Sequence, residues 1–354
     1  MTMRLEEFEY ALPPEFIAQS PIEPRDSSRL LVLDRATGGI RHAIFREIGS
    51  FLSPGDLLVF NDTRVIPARL QARKERTGGR VEILLLRRLE ARTWEALIGG
   101  KHVRRGTRLF LACGPDLSGP RPDRSGELIR AEVIRDLGGS RRILRFSETV
   151  APRLTALGST PLPPYIHNTL NDPERYQTVY ARDPGSAAAP TAGLHFTPSL
   201  IAALQERGIR SAFVTLHVGL DTFAPITEPD VGAHEIHAEW IRVPAETAAR
   251  VRDARARGNR VVAVGTTSVR ALETAAGTEK GGVAPFEGDT RLYITPGFAF
   301  RSVDAMITNF HLPHSTLLVM VSAFAGRERI LAAYEEAKRE GYRFYSFGDA
   351  MLIL

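Results

Sequence analysis

Residues 68–146 constrain this fold most, because their apolar residues come in short alternating runs with no helical period among them. Runs at 80–86, 93–98, 107–111, 128–134 and 142–146 are rich in Val, Ile and Leu and are separated by Gly turns. Five or six short strands at such spacing predict a small antiparallel barrel or sandwich. The Pro/Gly-rich piece 113–126 reads as a hairpin loop. On both sides the texture changes. A helix at 199–207, opened by Thr197-Pro198, leads to a strand at 211–216, and a helix at 245–257, stopped by Gly258, leads to a strand at 260–264. Helix alternating with buried strand predicts an α/β, barrel-like domain built from 1–65 and 150–354, with an all-β antiparallel barrel inserted at 66–149. At 354 residues and 43% hydrophobic, the chain is long enough for two such cores.

Ligands in α/β folds sit beyond the carboxyl ends of the strands. Asn61-Asp62-Thr63-Arg64 ends the strand 57–60, and His217-Val218-Gly219 follows 211–216. Gly265-Thr266-Thr267 follows 260–264, and Asn309-Phe310-His311 follows a strand at 303–308. Thr266, Thr267 and Ser268 can cap the next helix, whose free N–H groups suit a carboxylate or phosphate, with Arg270 as a bidentate partner. Such turns also occur with no ligand. The glycine spacing is neither that of a Walker loop nor that of a dinucleotide fingerprint.

The segment 176–196, YQTVYARDPGSAAAPTAGLHF, is too irregular for a helix and too rich in small residues for a packed strand. Small residues at 186–189 let a ligand approach the backbone, while Thr191, Gly193 and His195 stand where that approach ends. Farther on, HEIHAEW packs two imidazoles and two carboxylates before an apolar strand. As a strand it would carry Glu235, His237 and Glu239 on one face, so that His237 and Glu239 tune each other for proton transfer. His234 and His237 with Glu239 form a weaker metal set, because the spacing is not that of a known zinc motif. We expect no metal. His311 and His314, like His195 and His217, end apolar segments.

A net charge of +5 hides an asymmetry. Residues 61–150 carry 20 Lys and Arg against 11 Asp and Glu, which leaves 26 against 30 elsewhere from totals of 46 and 41. A basic module beside an acidic one suits a polyanion partner. Lys101, Arg104 and Arg105 in the loop KHVRR, together with Arg64, are the candidate phosphate contacts. The run YRFYSFGD at 342–349 reads either as a base-stacking face or as a core strand. The single cysteine, Cys113, rules out an intrachain disulfide and fits a reducing cytoplasm. The first residues, MTMRLEEFEY, lack the apolar core of a signal peptide, and no apolar run is long enough to span a bilayer.

Taken in order, FEYALPPEFIAQSP, RDSSRLLVL, PGDLLVFNDTRVIPARL, PLPPYI, YQTVYARDPGSAAAPTAGLHF, FVTLHVGLDTFAPI, HEIHAEW, GNRVVAVGTTSVRALE, ITNFHLPHSTLLVMVSAFAG and YRFYSFGDAML closely resemble the S-adenosylmethionine:tRNA ribosyltransferase-isomerase family of queuosine synthesis. The resemblance spans nearly the whole chain. It is weakest between 87 and 146, apart from KHVRRGTRL, and it departs at Asp221, where the family pattern usually has Gly.

This resemblance implies transfer and isomerisation of the ribosyl part of S-adenosylmethionine onto a 7-aminomethyl-7-deazaguanine in tRNA. The product is epoxyqueuosine, and adenine and methionine leave. It implies the anticodon wobble base of tRNAs for Asp, Asn, His and Tyr as target, and no cofactor beyond S-adenosylmethionine as co-substrate. We expect a cytoplasmic monomer.

Set against that reaction, His237 with Glu239, or His195, or His217, are the candidates for proton transfer. Thr191 and Thr266 are candidate positioning hydroxyls, and Gly193, Gly219, Gly265 and Thr267 would line the co-substrate. Arg270 or the turn at 265–268 would hold the methionine carboxylate. Tyr165, Tyr176 or Phe196 would stack on a base. Three competing readings remain at this point: an S-adenosylmethionine-dependent RNA methyltransferase, a metal hydrolase and a non-catalytic tRNA-binding module.

Overall fold

The computed structural model describes residues 3–111, 129–168, 170, 172–219, 225–277 and 282–354. Asp221 and the loop expected at 113–126 lie outside them. The chain divides into two compact units, one of Met1–Thr63, Pro164–Asp183 and Ala189–Leu354, the other of Arg64–Pro163 and Pro184–Ala188.

The first β elements in chain order are β1 (Arg29–Leu33), β2 (Ile40–Ile44), β3 (Leu57–Asn61), β4 (Thr63–Val65), β5 (Arg69–Lys74), β6 (Arg80–Glu90) and β7 (Thr93–Gly99). There follow β8 (Arg108–Leu111), β9 (Arg130–Asp136), β10 (Arg141–Phe146), the short helix α1 (Leu154–Leu157), β11 (Gly158–Ser159) and β12 (Asp183–Ser186). In the second unit β5, β6, β7, β10, β9 and β8 pair in that order, and β8 returns to β5 through Ala72↔Leu111 and Lys74↔Leu109. This is the antiparallel barrel that the alternating runs predicted, closed so that neither edge is left unpaired. Alternation is visible in β9, where Ala131 and Val133 point inward between exposed Arg130 and Glu132.

The other unit carries α2 (Pro198–Glu206), β13 (Arg210–Leu216), β14 (Glu239–Val243), α3 (Ala245–Ala256), β15 (Val261–Val264), α4 (Thr266–Ala276), β16 (Phe286–Thr290), β17 (Ala305–Asn309), α5 (Thr316–Ala325), α6 (Arg327–Arg339) and β18 (Ala350–Ile353). Its nine-stranded mixed sheet runs β16-β14-β13-β3-β15-β17-β18-β1-β2. β3 and β15 are buried at every residue, the continuous apolar pattern of strands covered on both faces. Leu58, Phe60, Val262, Val264 and Ile307 meet Phe196, Leu200 and Leu204 in one core.

The local signals act as expected. The Thr197 hydroxyl accepts from the Leu200 N–H at 3.2 Å ahead of Pro198, and Gly258, at φ +73°, lies just past the end of α3.

Three local expectations differ. Residues 234–238 are irregular and the strand begins only at Glu239, so period 2 does not apply to HEIHAEW. Residues 342–349 form no strand beyond an isolated bridge at Phe344; all four rings are buried, Tyr342 and Phe344 against Phe310, Tyr345 against Tyr165 and Phe347 against Tyr176. That burial removes the base-stacking reading of the run. Tyr176 and Phe196 are likewise buried, which leaves half-buried Tyr165, hydrogen-bonded to Ser346 Oγ at 2.6 Å, as the reachable ring of the three.

Candidate functional site

Topology assembles the site. β13, β3, β15 and β17 are consecutive in the sheet and mutually parallel, so their carboxyl ends lie along one edge. That edge bears His217, Asn61-Asp62-Thr63, Gly265-Thr266 and Asn309-Phe310-His311, the four motifs whose position the sequence predicted.

A cleft of about 40 Å³ opens there, lined by Thr191, Val218, Gly265, Thr266, Thr267 and His311 among others. Gly265 turns β15 into α4 at φ +88°, a conformation that costs a residue with a Cβ. The Thr/Ser cap expected here is not made. Among the described residues no side chain caps α4, and the Ser268 hydroxyl donates back to the Val264 carbonyl at 2.8 Å. Among the described residues the first-turn N–H groups have no side-chain cap and the buried Thr267 hydroxyl, which lines the cleft, has no partner. Such an end, with its partial positive charge, fits a carboxylate.

Beneath the cleft His195 is completely buried against Phe45, with ring centroids 5.0 Å apart. Its Nδ1 lies 2.7 Å from Ser28 Oγ and its Nε2 3.1 Å from Asn309 Nδ2. Burial, reinforced by Arg25 and Arg343, holds the imidazole well below its ordinary pKa, so it is neutral. His311 is also buried and pushed down to about 3 by desolvation, with Nε2 2.9 Å from Thr308 Oγ1.

At the end of β13, His217 stacks on Trp240 with ring centroids 5.0 Å apart. Its Nδ1 is 2.8 Å from Thr63 Oγ1 and its Nε2 faces Asp183 Oδ1 at 3.9 Å. Asp183 is also held by Arg242. Burial lowers the His217 pKa and outweighs the opposing pull of Asp183, so this partly exposed ring is neutral near pH 7 and can take a proton. Next to it, buried Asp62 accepts from the Thr215 hydroxyl at 2.7 Å and from Arg182 Nε at 2.6 Å.

The remaining candidates fall elsewhere. Glu239 is buried and pairs with Arg270, and its Oε1 accepts the Gly219 N–H at 3.1 Å, while His237 is exposed. Arg270 donates from Nε to the Leu292 carbonyl at 3.2 Å and pairs through Nη1 with Glu239, while its buried Nη2 has no partner among the described residues. Gly193 lies where an added Cβ would come within 2.0 Å of the Tyr180 hydroxyl, so its smallness serves packing. Lys101, Arg104 and Arg105 are exposed on the loop between β7 and β8 of the barrel, and Arg64 is half-buried. His234 bonds Glu228 at 2.8 Å. Among the described residues no group of three His, Cys, Asp or Glu is placed to hold a metal ion, and no helix is long and apolar enough to cross a membrane.

Sequence reasoning missed Ser28, Asp183 and the role of Asn309. Ser28 lies 167 positions before His195 and Asn309 lies 114 after it, so only the fold brings them together. Asp183 carried a signal, since it sits in the 176–196 segment next to Arg182.

Fold and site together define an α/β protein with a cleft beyond the carboxyl ends of parallel strands and an antiparallel barrel inserted in its sequence. The sequence profile of the family described as Queuosine biosynthesis protein matches residues 5–353, and the chain belongs to that family. It is 53% identical to the S-adenosylmethionine:tRNA ribosyltransferase-isomerase of Carboxydothermus hydrogenoformans over 99% of this chain and 100% of that protein. It is 53% identical, over the same shares, to the protein of that name from Moorella thermoacetica. The crystal structure of S-adenosylmethionine tRNA ribosyltransferase from Thermotoga maritima matches with a TM-score of 0.55 and 42% identity, covering 98% of this chain and 100% of that one.

Proposed function

We propose that this chain is an S-adenosylmethionine:tRNA ribosyltransferase-isomerase, which moves the ribosyl part of S-adenosylmethionine onto the aminomethyl group of 7-aminomethyl-7-deazaguanine at the wobble position of tRNAs for Asp, Asn, His and Tyr. Its products are epoxyqueuosine in tRNA, adenine and methionine, and it works as a cytoplasmic monomer. The observation that carries this reading is the cleft at the ends of the parallel strands β13, β15 and β17, in a chain about half identical over its full length to proteins bearing that name.

Sulfonium acidifies the C5′ protons, so a base must remove one, and adenine must be protonated as it leaves. His217 suits the first task, because it is neutral, partly exposed and oriented by Thr63 and Trp240. The uncapped end of α4 at Gly265-Thr266-Thr267 suits the methionine carboxylate, and Thr191 suits a polar group beside it. His195, Glu239 and Arg270 then act by holding the site's backbone and side chains in place, and Gly219 is held by Glu239. The exposed basic loop with Lys101, Arg104 and Arg105, together with Arg64, supplies affinity for the tRNA backbone.

Incubation with tRNA carrying the aminomethyl base, followed by chromatography of free adenine, tests the reading. Adenine release that depends on both substrates supports it. S-adenosylhomocysteine together with a methylated nucleoside would make the protein a methyltransferase instead.

A further inference from the structure

Asn309 has its direction fixed by the one neighbour that cannot donate. Its Nδ2 lies 3.1 Å from the backbone carbonyl of Tyr345, an acceptor only, so that end of the side chain is the NH2. The second Nδ2 proton then points to His195 Nε2 at 3.1 Å, which makes Nε2 the acceptor. On the far side of the ring, Nδ1 faces Ser28 Oγ at 2.7 Å and the Arg25 Nη2, which can only donate, at 3.4 Å. The other end of Asn309 is its oxygen, which accepts the Thr191 hydroxyl proton at 3.3 Å. Thr191 has therefore spent its only donor inward, and what its oxygen offers the cleft it lines is lone pairs.

We infer that Thr191 meets the co-substrate as a hydrogen-bond acceptor for an N–H group, and that Asn309 and His195 are positioning residues that fix this polarity. The inference deepens the proposed function and rests on it. S-adenosylmethionine has two N–H donors of this kind, the α-ammonium and the adenine 6-amino group. Arg25, whose Nη2 is 3.4 Å from Nδ1, and Arg343 are the charged groups facing the ring, and both disfavour a second proton on it.

The test measures S-adenosylmethionine binding by calorimetry and KM by adenine release, using the full chain. Thr191→Val should weaken binding by about 10- to 100-fold, with a smaller change in kcat, and Thr191→Ser should restore it. An analogue lacking the α-amino group and one with oxygen in place of the adenine 6-amino group separate the two donors. The analogue missing the recognised donor should bind wild type and Thr191→Val equally, while the other still discriminates. Asn309→Asp removes both N–H donors, so a proton must be taken up at the 309–195 pair. Its KM should fall as pH is lowered from 8 towards 6, whereas the wild-type KM stays flat. The inference is overturned if Thr191→Val binds S-adenosylmethionine as wild type does, if both analogues still distinguish the variant, or if Asn309→Asp loses affinity equally at every pH. A wild-type protein with no affinity for S-adenosylmethionine overturns the proposed function, and this inference with it.

Discussion

Glu239 and Arg270 form an ion pair sealed inside the α/β unit, with side chains 6% and 4% exposed. The pair joins β14 to α4 and, through Glu239 Oε1, holds the Gly219 N–H just beyond β13. Removing one partner leaves the other buried and uncompensated, which costs about 3–5 kcal/mol. Glu239→Ala and Arg270→Ala should therefore each lower the midpoint of urea unfolding strongly. The double variant Glu239→Leu/Arg270→Met should recover much of the loss. Two single losses that simply add would mean that the residues do not act as a pair.

His217→Gln should lower kcat by about 10²- to 10⁴-fold while leaving the unfolding midpoint near wild type, since the ring lies at a strand end and is partly exposed. The His217 pKa is below its ordinary 6.5, so the deprotonated, active form persists to pH values under 6.5. The acid limb of the kcat/KM profile should thus lie below pH 6.5 and vanish in the variant. Activity of His217→Gln within a few fold of wild type would remove this residue from the chemistry.

Gly193→Ala places a methyl group about one bond length too close to the Tyr180 hydroxyl, 2.0 Å away, and also 2.9 Å from Thr178. Overpacking of this kind costs about 1–3 kcal/mol. Tyr180→Phe removes the clashing oxygen, so the double variant should be more stable than Gly193→Ala alone. Thermal melts of the four proteins decide the matter.

Acid should destabilise the fold through its sealed histidines. His311 titrates at about 3 in the fold, against about 6.5 when unfolded, and His195 is displaced in the same direction. Below pH 6.5 the unfolded chain binds protons that the folded one refuses, so stability present at neutral pH is lost as pH falls. Each such group contributes on the order of 1 kcal/mol per pH unit until its folded pKa is reached. His311→Gln should flatten part of that slope in denaturant titrations between pH 6.5 and 4.

Replacing Lys101, Arg104 and Arg105 together by Ala should weaken tRNA binding. It should also reduce the slope of log K against log salt by about 0.7–0.9 for each phosphate that is no longer neutralised. Filter binding between low and moderate salt measures this, and an unchanged slope would show that the loop does not touch the backbone.

The barrel and the strand-end motifs were legible in the sequence because both follow from local pattern. Alternation at 80–86 and 142–146 and the Gly265 turn need no distant partner. What escaped was set by tertiary packing. Glu239 looked like the neighbour of His237 while HEIHAEW read as a strand, yet the strand starts at Glu239 and its carboxylate goes to Arg270, 31 residues on. Sequence leaves His195 free to react or to bind; only the fold places Ser28 and Asn309 at its two ring nitrogens. The aromatic run at 342–347 is polar enough in sequence for a surface, and only its packing against Phe310 and Tyr334 shows it to be core.

The central claim is a ribosyl transfer from S-adenosylmethionine to tRNA, and mass spectrometry of tRNA nucleosides after reaction tests it most directly. With S-adenosylmethionine labelled in the ribose, the account requires the label to appear in the modified tRNA base while unlabelled adenine and methionine are released. Label retained in S-adenosylhomocysteine, or tRNA that stays unlabelled as S-adenosylmethionine is consumed, would contradict it.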